Sequence, residues 1–266
     1  FRKGHKTDAN DALAIVEAGL RPDMRFVPLK SVEQQDIQSL HRIRERYIHQ
    51  RTQLINQIHG LLQEYGIISG RGQKALKQRV WRALEDADNE LSMLMRDLLA
   101  EQMTELDRLN ERIQSLDKRV EQMSRATEPC RQLLAIEGIG PVVATQLYSA
   151  LGNGEAFKKG RQASAYLGLT PTQHSSGGIA KIKGIGRTGQ ISLKAALIRG
   201  AHSVINTVGD KQDAKSRWLR SLVARVGKNK AAVALANKTV RTAWAVLHSG
   251  QSYCREFNDG SALMVS

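Results

Sequence analysis

Cysteine is nearly missing: the 266 residues hold two, Cys130 and Cys254, far apart and in no metal-ligand spacing. That excludes a disulfide framework and a zinc cluster, and points to a reducing compartment. Long apolar runs are missing too. No stretch approaches the roughly 18 residues of a membrane span, and the opening FRKGHKTD has no apolar core like that of a secretory signal, so a soluble, cytoplasmic protein without a membrane partner is expected. Acid is missing locally. From Ala156 to Gly209 there is no Asp or Glu, while Lys158, Lys159, Arg161, Lys181, Lys183, Arg187, Lys194 and Arg199 supply positive charge. Over the whole chain 40 Lys and Arg stand against 26 Asp and Glu, a net +14. Such an excess attracts polyanions, and nucleic acid is the expected partner. The chain opens at Phe1 in a charged lead-in to a helix, as expected of a fragment that has lost upstream residues.

What is present reads as mainly helical. Asp8 to about Ala18 has the pattern of a helix start, with Asp8 placed to cap and Asp11 three residues on as a capping-box partner; Gly19 and Pro22 end it. From Val32 to near Gly66, Leu40, Tyr47, Leu54 and Leu61 recur every seven residues with Ile37, Ile58 and Tyr65 between them, which predicts a long helix with a narrow seam. IISGRGQ is a turn. A second long helix is predicted from about Ala75 to Ser124, where Leu99, Met103, Leu106, Leu109, Ile113, Leu116, Val120 and Met123 keep spacings of three and four. Together they make an antiparallel hairpin, a spacer or a dimerisation arm. His41, His49 and His59 read as surface or seam residues. After Pro129 glycines multiply and helices shorten. The expected organisation is 1–30, a coiled-coil hairpin over 31–128, a compact helical domain over 129–250 and a tail over 251–266.

Three motifs carry chemistry. LLAIEGIGPVVATQL, Leu133 to Leu147, has the helix-hairpin-helix pattern, in which Gly138, Ile139 and Gly140 turn the chain tightly and aim backbone N–H groups at a phosphate. GLTPTQHSSGGIAKIKGIGRTGQISLKAALIRGA, Gly168 to Ala201, predicts a polar, glycine-rich loop before a basic helix. In it Ser175 and Ser176 precede Gly177 and Gly178, with Lys181, Lys183, Arg187 and Lys194 available to neutralise phosphate. The loop reads either as a phosphate-binding turn or as the seat of a serine nucleophile, which needs a metal, a base or dense positive charge to be activated. His174 is a base or a phosphate donor. Asp8 and Asp11 fall on one helix face, where they cap the helix or share a divalent cation.

Taken in order, HKTDANDALAIVEAG, the helical hairpin, LLAIEGIGPVVATQL, and YLGLTPTQHSSGG with GRTGQISLKAALIRGA resemble the IS-one-ten class of bacterial insertion-sequence transposases, relatives of the Piv-type DNA invertases. The resemblance runs through nearly the whole chain. It implies the C-terminal remnant of a RuvC-like domain of ribonuclease H fold, then a coiled coil, then a transposase domain with a catalytic serine. Asp8 and Asp11 match the last two acids of a DEDD tetrad, the first Asp and the Glu then lying upstream of Phe1, so that the fragment alone would be inactive. The Ser-Gly step places the serine at Ser176, with Ser175 as the alternative. The implied reaction is attack on a DNA phosphodiester to give a phosphoserine intermediate, with Mg²⁺ held by the tetrad across a subunit interface of a dimer or tetramer. Several relatives use a structured noncoding RNA, and a bacterial, nucleoid-associated location follows. The family's Lys-x-Gly-Asn and Leu-Arg appear here as Arg187-Thr188-Gly189-Gln190 and Leu193-Lys194, a change of cation type at both places. Two other readings compete: a non-catalytic basic nucleic-acid-binding protein, and a RuvC-like structure-selective nuclease that leaves the serine motif unexplained.

Overall fold

The apolar spacing produces helix through most of the computed structural model, which describes residues 7–22, 24, 26, 29–176, 179–186 and 189–254, without the side chains of residues 173–183. Most of the 251–266 tail, with Gly177, Gly178 and Arg187, lies outside the described residues. Two compact units are present, Phe1–Lys30 and Ser31–Ser266.

In the first unit α1 spans Asp8–Gly19. Its cap is one residue earlier than the spacing predicts: Thr7, in an extended conformation, accepts a bond from the Asn10 N–H at 3.3 Å. A threonine hydroxyl satisfies the orphan N–H as an Asp would. Asp8 and Asp11 therefore sit inside the first turn, exposed, and neither is the cap.

The second unit begins with a capping box in which Ser31 and Gln34 bond each other's backbone N–H groups. α2 (Val32–Glu64) then runs antiparallel to α4 (Met93–Ala126), as the pairs Glu33 with Thr127, Arg44 with Asp117, and Arg51 with Asn110 show. The predicted seam holds at Ile37, Leu54 and Ile58 and shifts by one position at Leu40 and Leu61. Leu40, Tyr47 and Leu61 stay partly exposed, and Ile37, His41, Leu54, Ile58 and Leu62 are buried. Arg44 and Arg51 occupy seam positions between Ile37 and Ile58 and reach across to α4, so polar residues interrupt the apolar repeat where it faces its partner.

The single helix predicted from Ala75 to Ser124 is two, α3 (Gln73–Glu85) and α4. Asn89 breaks it by accepting from the Leu91 N–H and donating to the Ala83 carbonyl, and Ser92 caps α4. Arg96 then donates to the carbonyls of Ala83, Leu84, Asp86 and Leu91 and to the Asn89 side chain. One guanidinium thus satisfies carbonyls that the end of α3 leaves without helical partners. α3 packs on both long helices and closes a core of Leu54, Ile58, Leu62, Leu76, Val80, Leu99 and Met103 at the far end of the arm.

A second core extends from Cys130 to Leu247. It is built from α5 (Glu128–Leu134), α6 (Pro141–Leu151), α7 (Gly160–Tyr166), α8 (Ile191–Asn206), α9 (Ala214–Val226) and α10 (Lys228–Ser249). α10 packs on α5, α7, α8 and α9, and α6 bridges to the arm by packing on α2 and α4. No helix among the described residues is long and apolar enough to cross a membrane.

At the bridge His41 Nε2 lies 2.8 Å from Thr145 Oγ1. The threonine hydroxyl has the Pro141 carbonyl 2.8 Å away as its acceptor, so the ring donates through Nε2 and leaves buried Nδ1 bare, without a partner. Protonating Nδ1 would place a cation in a dry site beside Arg44; burial first, and then that charge, bring the His41 pKa down to about 4. A folded-state pKa below the unfolded value of 6.5 gives stability that is complete above pH 6.5 and is lost as pH falls through about 4. His41→Gln should therefore flatten the fall in unfolding free energy between those pH values by on the order of 3 kcal/mol, as checked by urea denaturation at a series of pH values; an unchanged profile would show that His41 is not the titrating group.

Candidate nucleic-acid interface and serine hairpin

The segment predicted as a glycine-rich loop is a β-hairpin. β1 (Pro171–Ser176) pairs antiparallel with β2 (Ile179–Ile185), Ser176 opposite Ile179, Ser175 opposite Ala180 and His174 opposite Lys181, with an irregularity between Pro171 and Gln173. The signal was in the sequence. Gly177-Gly178 between a Thr/Ser-containing run and an Ile-rich one is a two-residue hairpin pattern. Ser176 is the last residue of its strand, next to the turn. The side chains of Ser175, Ser176, Lys181 and Lys183 lie outside the described residues.

The base of this ribbon is held on three sides. Before β1, the Leu169 carbonyl accepts from Asn237 Nδ2 of α10 at 3.0 Å, and Leu169 itself is buried. After β2, the Gly186 carbonyl accepts from Lys194 Nζ at 2.6 Å. Gly189, at φ +82°, rests on the chain at Leu167–Gly168 so closely that a Cβ would come within 2.6 Å of the Leu167 carbonyl carbon. Lys194, expected to face a phosphate, is thus buried at 7% exposure, with its ammonium donated to the chain that leaves the hairpin. It is a strut of the ribbon rather than part of the open basic surface.

Two residues earlier on α8, Ser192 Oγ donates to Glu45 Oε1 of the arm, and Gln146 Nε2 of α6 lies 3.2 Å from both oxygens. Arm, bridge helix and ribbon base meet at this point. Asn237 and Glu45 carry no motif, and sequence reading missed both.

The α5–α6 turn uses its glycines differently from the expectation. Gly138 has φ +88°, and its carbonyl oxygen would lie 2.2 Å from a Cβ on Gly200, so α8 crosses the turn in near backbone contact. Ile139 is buried in the core, and its N–H donates to the Ile136 carbonyl at 3.0 Å. Of the three residues expected to meet a phosphate, Gly140 alone is open, exposed with no atom where a Cβ would sit; Ile139 instead anchors the turn, because its N–H and side chain are both spent inward. Lys215 of α9, its side chain largely buried, fastens the turn through an ion pair to Glu137 at 2.9 Å.

No group of three or more potential metal ligands occurs among the described residues. Asp8 and Asp11 remain a pair of hard oxygen donors in the first turn of α1.

Comparison with known proteins places this architecture. Residues 130–218 match the model described as "Transposase IS116/IS110/IS902 family", and residues 1–67 match a DEDD-type IS110 model described as a transposase. A probable family 20 transposase of Pseudomonas aeruginosa is 42% identical over 254 residues, covering 95% of this chain and 75% of that protein. The transposase for insertion sequence element IS1111A of Coxiella burnetii is 41% identical over 253 residues, 95% of this chain and 70% of its own length. The transposase for IS1328 of Yersinia enterocolitica is 32% identical over 255 residues, 96% and 75% of the two chains. The chain belongs to the IS116/IS110/IS902 family of insertion-sequence transposases.

The glycine geometry gives a paired test. Gly200→Ala drives a methyl into the Gly138 carbonyl and should destabilise by about 2–4 kcal/mol, whereas Gly140→Ala, with open space around it, should cost less than about 1 kcal/mol. Urea denaturation of both variants checks this, and equal effects would contradict the close crossing.

Proposed function

We propose that the protein acts on DNA as a serine-dependent transposase, in which Ser176, or Ser175 beside it, attacks a backbone phosphodiester. The observation that carries the reading is the position of Ser176 at the turn end of a ribbon whose base is bolted to α7, α8 and α10. A nucleophile must be held at a fixed distance from the bond it attacks, and a ribbon with a rigid base supplies that better than a free loop. In the proposed step the serine oxygen bonds to phosphorus as a phosphorus–oxygen bond of the DNA breaks. The hydroxyl proton is given up, and the freed strand end leaves as an alcohol. Reversal onto a second strand end reseals the DNA without an external energy source.

Asp8 and Asp11 are proposed as two of four acidic ligands for Mg²⁺. Their donor chemistry fits, since Mg²⁺ takes carboxylate oxygen, and both carboxylates are exposed and free of a capping role. When bound, the ion would supply Lewis-acid stabilisation of phosphate charge. Gly140 and the basic side chains around the hairpin, Lys181, Lys183 and Arg187, would hold the DNA backbone. On this reading residues 1–30 are the end of a RuvC-like domain, 31–128 the coiled-coil arm through which copies assemble, and 129–250 the transposase domain with its helix-hairpin-helix. The wide basic surface also suits a structured noncoding RNA from the element, with the assembly working at the nucleoid.

The test is to incubate the element's complete transposase with element-end DNA, Mg²⁺ and the co-expressed RNA, and to look for a covalent protein–DNA adduct on a denaturing gel. Ser176→Ala should lower adduct yield by ~10³-fold or more while leaving salt-sensitive DNA binding intact. Salt-sensitive binding with no adduct from the unaltered protein would favour the non-catalytic binding reading. Undiminished recombination by Ser176→Ala would shift the nucleophile to Ser175 or remove it from the mechanism.

A further inference from the structure

Beyond the hairpin and the α5–α6 turn, the fold assembles a basic surface from segments that are distant in sequence. Between Ala214 and Cys254 there is no Asp or Glu. On α10, Lys230, Ala234, Lys238, Arg241, Ala245 and His248 fall within about 80° of arc at 100° per residue, and all are exposed or half-exposed. This is the stripe that α10 leaves uncovered, opposite the face formed by Ala232, Leu235, Ala236, Val240, Ala243 and Leu247. The alanines between the cations keep the stripe low, so a large, flat ligand can approach the helix.

Tertiary packing extends it to either side near its middle, at Arg241 and at Lys238. Gly160 at the start of α7 lies against Arg241, close enough that a Cβ there would sit 3.2 Å from the Arg241 Cα. That brings exposed Lys158, Lys159 and Arg161 beside the Arg241 end. In the other direction Lys238 lies 4.9 Å from the centre of the Trp218 ring on α9, and burial first, then the positive charges of Lys215 and Arg241, lower its pKa. Lys215 in turn pairs with Glu137 in the α5–α6 turn. Among the described residues no carboxylate forms an ion pair with Lys230, Lys238 or Arg241. Asp213 caps α9, and Glu137 pairs with Lys215. Like charges crowded together without counter-charge cost folding energy, and an external anion removes the cost.

The aromatic residues select the kind of polyanion. A surface for unstacked single-stranded bases offers open ring faces. Here Trp218 carries Lys238 on its face, and Trp244 stacks on His248 at 5.0 Å and donates its N–H to the Gly154 carbonyl. The surface presents cations and occupied rings, which suits a ligand whose bases are already stacked inside and whose phosphates face outward.

We propose that the surface running from Lys158 and Lys159 across Arg241 and Lys238, with Lys230 further along α10, docks the backbone of duplex DNA without reading its sequence. It is separate from the serine hairpin and does not depend on Ser176 being the nucleophile.

The experiment measures binding of this chain to a duplex of about 30 base pairs with arbitrary sequence, by fluorescence anisotropy over a range of salt concentrations. The paired variants Lys230→Gln/Arg241→Gln and Lys158→Gln/Lys159→Gln alter exposed side chains and are compared with Arg79→Gln/Arg119→Gln, exposed cations on the arm. Each of the first two should bind roughly tenfold more weakly at about 0.1 M salt and lower the slope of log affinity against log salt by about 2, one unit for each phosphate contact removed. The arm variant should match the unaltered chain. Unchanged slopes, an equal loss in the arm variant, or no duplex binding by the unaltered chain would overturn the proposal. So would a loss confined to single-stranded DNA or to an RNA duplex of the same length, which would assign the surface to that ligand instead.

Discussion

Almost every residue of α6 from Val143 to Leu151 is buried, and the helix has to satisfy two opposite surroundings. Val143, Ala144, Leu147, Ala150 and Leu151 face the apolar core of the compact half. Thr145, Gln146, Tyr148 and Ser149 meet α2, where His41, Glu45, Glu33 and the Gln34 backbone answer them. A buried polar group left without a partner costs more than an average hydrogen bond returns. The arm therefore has one orientation on the compact half in which most of these groups find partners, His41 Nδ1 and Gln146 Oε1 staying bare, and slipping α2 along α6 would strand several more at once.

The rest of the candidate site hangs from that junction. Glu45 belongs to the arm, yet its carboxylate takes the Ser192 hydroxyl in the first turn of α8. Lys194, two residues on, holds the Gly186 carbonyl at the exit of the serine hairpin. Gly138 and Gly200 let the same helix pass across the α5–α6 turn at a separation no side chain would allow. α8 thus ties the turn, the ribbon and the arm together, and the residues that do this work are small or polar rather than large and apolar.

Much of the architecture could be read from residue order. The long helix over 32–66 follows from its apolar repeat and from the glycine after it, and the change to short helices follows from the glycines and the proline beyond 128. The errors have identifiable causes. The arm seam was misplaced because Arg44 and Arg51 stand at contact positions and pair across it, so the apolar residues beside them imitate the repeat. The break after α3 turns on Asn89 and Ser92, whose turn and cap roles the apolar repeat hides, and on Arg96, four residues into the next helix, which takes up the carbonyls left at the end of α3. The hairpin is hidden because its serines and glycines signal exposure as strongly as the Gly177-Gly178 pair signals a two-residue turn.

By itself the sequence determined the chemistry on offer: the excess of cations, the helical periods, the paired glycines, the two acids and the Ser-Ser-Gly-Gly step. These depend on residue type and spacing along one chain. The tertiary structure decided which of those groups face outward. It turned Ile139 and Lys194 inward and left Gly140 open, and it set the start of α7 against Arg241 and the Trp218 ring of α9 against Lys238. Burial and convergence depend on where distant segments pack, and the local pattern carries no term for that.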